Sequence, residues 1–158
     1  MSHFSFDLAL ACLDDTAELA QRFSKVLKPG DVMLLDGDIG MGKSFFARCL
    51  IQSSQDIPED VPSPTFTIVQ TYDTEIGEIW HTDLYRLSGA DDIIELGLLD
   101  AFETSICLVE WPDRLETLVP QSALRLRFSP GPTDDARHVH VTWTQAEWTT
   151  RLEPFTHA

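Results

Sequence analysis

The chain has 158 residues, 43% of them hydrophobic, and a formal net charge of −15. This length suits one domain with a sizeable core. The charge argues against direct binding of tRNA or DNA, because nucleic-acid affinity comes largely from Lys and Arg on phosphates and only three lysines are present. No apolar run approaches the roughly twenty residues of a membrane span, and the first residues lack the basic and apolar regions of a leader. Cys12, Cys49 and Cys107 fit neither a disulfide framework nor a zinc spacing. A protein of the reducing cytoplasm is expected, with an acidic surface suited to solubility or to docking on a basic protein partner.

Phe4-Ser-Phe-Asp-Leu alternates like an edge strand. Asp14, Asp15 and Thr16 then offer N-caps for a helix running to about Leu27, with Leu19, Ala20, Phe23, Val26 and Leu27 on one face. Pro29-Gly30 ends it. Residues 31–36 read as a short buried strand and residues 45–52 as a helix without a breaker. The polar, proline-rich stretch from Ser53 to Pro64 is a loop. Residues 65–72 and 78–84 are strand-like, and Glu75-Ile-Gly77 between them suggests a hairpin. Residues 91–99 form a short helix interrupted at Gly97, and residues 105–110 are the best buried strand in the chain. A short helix over 113–119 follows, and residues 124–128 and 138–143 form antiparallel strands around Pro130-Gly-Pro132. The acidic pairs Asp14-Asp15, Asp91-Asp92 and Asp134-Asp135 read as solvated turns and caps. The sum is a single α/β domain over residues 1–158, a P-loop NTPase domain with a central, mostly parallel sheet, antiparallel additions and helices on both faces.

Between the strand at 31–36 and the helix after it stands Gly37-Asp-Ile-Gly-Met-Gly-Lys-Ser44, a complete Walker A pattern in the strand, loop and helix setting that it requires. Gly37, Gly40 and Gly42 permit backbone torsions a side chain would forbid, so the amides of Asp38, Ile39 and Met41 among them can turn inward around phosphates. The helix starting near Lys43 aims its N-terminal amides and positive dipole end at the same anion. Lys43 reaches the β- and γ-phosphates and the Ser44 hydroxyl holds Mg²⁺.

A second metal anchor, an acid ending an apolar strand, has two candidates. Glu110 ends Ile106-Cys-Leu-Val109, and Asp83 ends the more polar Glu78-Ile-Trp-His-Thr82. Together they can divide the work, one holding metal and the other orienting water as a base; either is otherwise a capping carboxylate. Thr65 in Ser63-Pro-Thr-Phe66 is placed to sense γ-phosphate and Mg²⁺ in a switch segment, or to form a simple turn with Pro64. His81 reads as a strand histidine. Arg86 pairs with a phosphate or a carboxylate, and Trp111 flanks the nucleotide or sits in the rim of the core. The chain contains no asparagine, so the Asn-Lys-x-Asp guanine motif is missing and ATP is the favoured nucleotide.

With Ser63-Pro-Thr-Phe66, His81-Thr-Asp-Leu-Tyr-Arg86, Glu95-Leu-Gly-Leu98 and Val109-Glu-Trp-Pro-Asp113 following the Walker loop in order, the chain resembles the bacterial TsaE (YjeE) ATPases of tRNA threonylcarbamoyladenosine biosynthesis. The resemblance spans roughly residues 30–115. It implies a Mg²⁺-dependent, partner-stimulated ATPase working with TsaB and TsaD, which transfer the threonylcarbamoyl group to adenosine 37 of tRNA, so that tRNA is met only through the assembly. It further implies that Ser44 and Glu110 hold the metal, that Asp83 is essential for hydrolysis, and that Thr65 lies in the switch segment. Ser44 stands where the family usually has Thr, which keeps the ligand oxygen, and Met41 stands where a small residue is common. Two readings from other classes are a small-metabolite kinase, against which the scarcity of arginines and of a lid insertion argues, and a nucleotide sensor that does not hydrolyse.

Overall fold

The computed structural model describes residues 3–156. In chain order the elements are β1 (Phe4–Leu10), α1 (Leu13–Ser24), β2 (Val32–Asp36), α2 (Lys43–Ser53), β3 (Val69–Thr74), β4 (Gly77–Asp83), α3 (Ala90–Glu95), α4 (Leu98–Thr104), β5 (Ile106–Glu110), a 3-10 helix (Pro112–Leu118), β6 (Leu124–Pro130), β7 (Arg137–Trp143), α5 (Ala146–Arg151) and α6 (Glu153–Thr156). The strands form one sheet in the order β1-β7-β6-β2-β5-β4-β3.

Patterning decides where each strand lies. β2 (Val-Met-Leu-Leu-Asp) and β5 (Ile-Cys-Leu-Val-Glu) are nearly continuous apolar runs and are buried on both faces, as inner parallel strands must be. They pair with each other in parallel, flanked in parallel by β6 and β4. β6 and β7 alternate between buried and more exposed positions, and β1 between half-buried and exposed ones; the three pair antiparallel at one edge. The expected hairpin makes the other edge, β3 against β4 closing at Thr74↔Gly77. Parallel centre and antiparallel flanks therefore agree with the sequence.

Helices cover both faces. On one, α1, α2 and the C-terminal helices enclose a core containing Phe23, Phe46, Leu50, Phe128, Trp148 and Phe155. Phe46 lies edge-on to Phe23 at 6.1 Å and to Phe128 at 5.5 Å, and Phe23 stacks on Phe155 at 4.6 Å. Burying a side chain the size of Phe46 contributes about 1.5–3 kcal/mol, and this column fixes α2 one turn beyond Lys43. On the other face α3, α4 and the 3-10 helix pack Ile93, Leu98, Phe102 and Leu115 against Val32, Leu34, Cys107 and Val109.

Four details depart from the expected elements. α1 ends at Ser24, where Lys25 N–H bonds Arg22 O and Val26 N–H bonds Phe23 O in a tightening turn. The strand expected from Thr65 begins only at Val69, because Ile68 N–H closes a turn on Pro64 O at 2.7 Å and Ile68 sits at φ 70°. The helix expected over 113–119 is a 3-10 helix broken at Glu116 (φ 50°, ψ −119°). Helices α5 and α6 were not expected at all. They bury Trp148, Leu152 and Phe155, and Arg151 locks them to the start of β2 through Asp31 and Val26 O.

Candidate functional site

Open α/β sheets place ligands beyond the carboxyl ends of their parallel strands, and the residues singled out in the sequence converge there. β2 leads into Gly37. β4 ends at Asp83 and β5 at Glu110, and the two acids are register partners across adjacent strands. Leu35 pairs with Glu110 on the other side, so three strand ends carry the loop and both carboxylates side by side. A cavity of about 370 Å³ opens there, lined by Ile39, Gly40, Gly42, Lys43, Ser44, Phe45, Ser63, Thr65, Asp83, Glu110 and Trp111.

The backbone of residues 37–42 turns through left-handed torsions. Gly42 caps the N-terminus of α2 at φ 97° with open space where a Cβ would stand. Gly37, at φ 140°, lies against β6, and a Cβ there would meet Phe128 O at 2.6 Å. Asp38 is exposed, its carbonyl accepting Met41 N–H at 3.3 Å. Met41 turns its side chain to the core. Neither side chain lines the cavity, so any part these two residues play is through the backbone.

Lys43 is 4% exposed. Its ammonium donates to Gly37 O at 2.5 Å and lies 3.7 Å from the centre of the Trp111 ring. Burial pushes the ammonium below the ordinary lysine value, while Glu110, Asp83, Asp36 and Asp38 push it back up. Trp111 takes a left-handed conformation (φ 57°) directly before Pro112, a strained position for a bulky residue, and Tyr85 packs on it at 4.8 Å.

Ser44 Oγ donates toward both Glu110 oxygens, at 3.0 and 2.8 Å. Glu110 is 3% exposed. The Ser44 hydroxyl also approaches Ser63 Oγ at 3.3 Å; Ser63 Oγ meets Thr65 Oγ1 at 2.9 Å, and Thr65 Oγ1 donates to Asp83 Oδ2 at 3.3 Å. Asp83 Oδ1 accepts Tyr85 N–H at 2.9 Å. A continuous polar chain thus runs from the Walker hydroxyl to the second carboxylate through the Ser-Pro-Thr-Phe segment. Ile68 O ties that segment to β4, accepting Asp83 N–H and Thr82 Oγ1, each at 2.8 Å.

Among the described residues no group of three His, Cys, Asp or Glu side chains is placed to hold a metal. A hydroxyl paired with one buried carboxylate is, however, the oxygen donor set that suits Mg²⁺, which takes one or two protein carboxylates and completes its shell with phosphate and water.

Two residues carry more than the sequence indicated. His81, fully buried, places Nε2 2.7 Å from Glu110 Oε2. A carboxylate only accepts, so Nε2 bears the proton and Nδ1 is left without a partner among the described residues. The signal was available: residues two apart on a strand share a face, which puts His81 beside Asp83. Arg137, at the start of β7, donates from Nε to Met41 O and from Nη2 to Gly40 O, both at 3.1 Å. No local pattern pointed to it. Arg86 pairs with no carboxylate among the described residues; its guanidinium stacks 5.1 Å from the exposed Phe66 ring.

A sheet with a parallel centre, and a glycine loop passing from β2 into the N-terminus of α2 beside the acids that end β4 and β5, define an α/β domain with the strand, loop and helix order of a Walker A segment. The family model described as "Threonylcarbamoyl adenosine biosynthesis protein TsaE" matches residues 10–139. Similar proteins named "tRNA threonylcarbamoyladenosine biosynthesis protein TsaE" include those of Rickettsia bellii, 36% identical over 82% of this chain and 89% of that one, Bacillus subtilis, 35% identical over 82% and 80%, and Streptomyces coelicolor, 35% identical over 84% and 93%. The crystal structure of YdiB from Bacillus subtilis aligns with a TM-score of 0.80 and 25% identity over 99% of this chain and 97% of that one. The chain belongs to the TsaE family. No described helix is long and apolar enough to cross a membrane.

Proposed function

We propose that this protein is a Mg²⁺-dependent ATP hydrolase that supports threonylcarbamoyl transfer to tRNA adenosine 37 together with TsaB and TsaD, and that it acts in the cytoplasm. The observation that carries the reading is the Ser44 hydroxyl within 2.8 Å of the Glu110 carboxylate, beside buried Lys43 and opposite Asp83 in one cavity. The residues fit the metal: Ser44 and Glu110 are its protein ligands. Bound there, Mg²⁺ supplies positive charge to the phosphate oxygens.

The amides of residues 37–42 and the N-terminus of α2 bind the phosphates. Lys43 exchanges its internal bond to Gly37 O for phosphate oxygens, and the release of Trp111 from its ammonium accompanies that move. With Glu110 given to the metal, Asp83 is the carboxylate left to work on water. It takes a proton as the water oxygen attacks the γ-phosphorus and the bond to the β,γ-bridging oxygen breaks. Thr65, bonded to Asp83, carries the state of the γ-phosphate to the Ser-Pro-Thr-Phe segment. The net charge of −15 supports contact with tRNA through the partners rather than through this chain.

The test is phosphate release from ATP by the purified chain, alone and with TsaB, TsaD and substrate tRNA, in the presence and absence of Mg²⁺. Stimulation by the partners that disappears in Lys43→Ala supports the proposal. Phosphate transferred to a metabolite, or ATP bound tightly with no turnover under any condition, would replace it with the kinase or the sensor.

A further inference from the structure

The Walker segment rests on the β6–β7 hairpin, a part of the chain to which the proposed chemistry gives no work. Gly37 lies directly on β6, with Phe128 O 2.6 Å from the position of a Cβ. Arg125 Nη1 stands 3.3 Å from Asp36 Oδ2, and Asp36 Oδ1 accepts Gly37 N–H at 2.9 Å. Arg137 reaches furthest. Its Nη1 donates to Asp134 O at 2.6 Å and to Ala136 O at 2.7 Å, which fixes the guanidinium on the hairpin turn. Nε and Nη2 then take Met41 O and Gly40 O.

A trans peptide points its C=O and N–H in opposite directions. Holding the carbonyls of residues 40 and 41 toward Arg137 therefore turns the following amides, those of Met41 and Gly42, the other way. Met41 N–H is taken up by Asp38 O at 3.3 Å, whereas Gly42 N–H meets no protein acceptor among the described residues, and Gly42 lines the cavity. The charge points the same way. In a chain with 26 Asp and Glu residues, Arg137 enters none of the ion pairs found among the described residues. Its positive charge is shared only with main-chain carbonyls and adds to the potential that an anion meets at the loop.

We infer that Arg137 is a positioning residue for the phosphate loop. From the hairpin it clasps the Gly40 and Met41 carbonyls and so aims the Gly42 amide at a bound phosphate. The inference rests on the reading of the cavity as a phosphate site. The competing account makes Arg137 a staple of its own turn.

The experiment uses the full chain with Arg137→Met, Arg137→Lys and, as a control, Ser129→Ala, which removes a hairpin hydrogen bond to His138 O away from the loop. ATP affinity is measured by calorimetry, thermal stability in parallel, and the Gly40 and Gly42 amide signals by ¹⁵N NMR without ligand. Arg137→Met is expected to weaken ATP about tenfold, about 1.4 kcal/mol, and to shift both ligand-free amide signals. Arg137→Lys, which keeps the charge without the fork, falls between, and Ser129→Ala leaves affinity unchanged. Wild-type ATP affinity with unmoved glycine signals in Arg137→Met, whatever its melting temperature, overturns the inference. If Arg137→Met does not fold, Arg137→Lys decides by the same criteria. A wild-type chain that binds no ATP removes the phosphate-site reading instead, and the ligand-free amide signals still show whether the clasp orients the loop.

Discussion

Replacing His81 by Leu separates a metal-positioning role from a merely structural one, because the two predict different magnitudes. The substitution removes an Nε2–H at 2.7 Å from Glu110 Oε2 at a fully buried position. Losing a hydrogen bond to a charged group costs about 1.5–3 kcal/mol. The same change abolishes the unpaired, buried Nδ1, whose desolvation costs about 1–3 kcal/mol. The terms nearly cancel, so net stability should change by about 1 kcal/mol, equivalent to about 2–4 °C in Tm for a chain of this size. Glu110 is then oriented by Ser44 alone. With Glu110 as the proposed metal ligand, losing its outer partner should weaken metal binding about 10–100-fold, or about 1.4–2.7 kcal/mol. The assay titrates Mg²⁺ against a fixed ATP concentration and follows nucleotide binding, with ATP binding in EDTA as the reference. His81→Leu should leave the EDTA value unchanged and raise the Mg²⁺ midpoint at least tenfold. His81→Gln, whose amide nitrogen can stand where Nε2 does, should restore it. A folded His81→Leu protein with a Mg²⁺ midpoint within about twofold of wild type would refute the reasoning.

Asp83→Asn keeps the size of the side chain and its bond from Tyr85 N–H but removes the proposed base; turnover should fall about 10²–10⁴-fold in steady-state assays while ATP affinity moves little. Gly37→Ala combines a forbidden torsion with a Cβ 2.6 Å from Phe128 O and should destabilise the fold by about 2–5 kcal/mol. Gly42→Ala, which meets only the torsional penalty, should cost about 1–2 kcal/mol; urea unfolding curves that give equal losses would contradict the close approach to β6. Burial raises the Cys107 thiol from its ordinary 9.0 to about 12. Its thiolate fraction near pH 8 is therefore on the order of 10⁻⁴, and a thiol reagent should label exposed Cys12 in the native protein and Cys107 only after unfolding. The sign for stability follows: the unfolded chain gives up this proton first, so stability from this group is full below pH 9.0 and declines as pH rises toward about 12.

The sequence by itself determined what short-range chemistry can encode. Residues 37–44 are covalent neighbours between a buried strand and a helix, so the loop was legible from eight positions. An apolar run ending in Glu110 and a more polar strand ending in Asp83 named both carboxylates. Alternation against continuous burial separated the antiparallel edge strands from the parallel centre. The spacing of Trp148, Leu152 and Phe155 also held a helical signal, which became interpretable only once α1 and α2 supplied a surface for it to cover.

Tertiary structure decided which of these pieces meet. The order β2-β5-β4 sets Asp83 opposite Glu110 and brings Ser44 to the latter across 66 positions of chain. The same packing turned His81 from an ordinary strand residue into the buried partner of that carboxylate, and delivered Arg137 to carbonyls 96 and 97 positions away. Strand order is chosen by the burial of whole faces and by long-range pairing. No local propensity reports that choice, so the loop could be read from its own residues, while the groups that orient it became visible only in the fold.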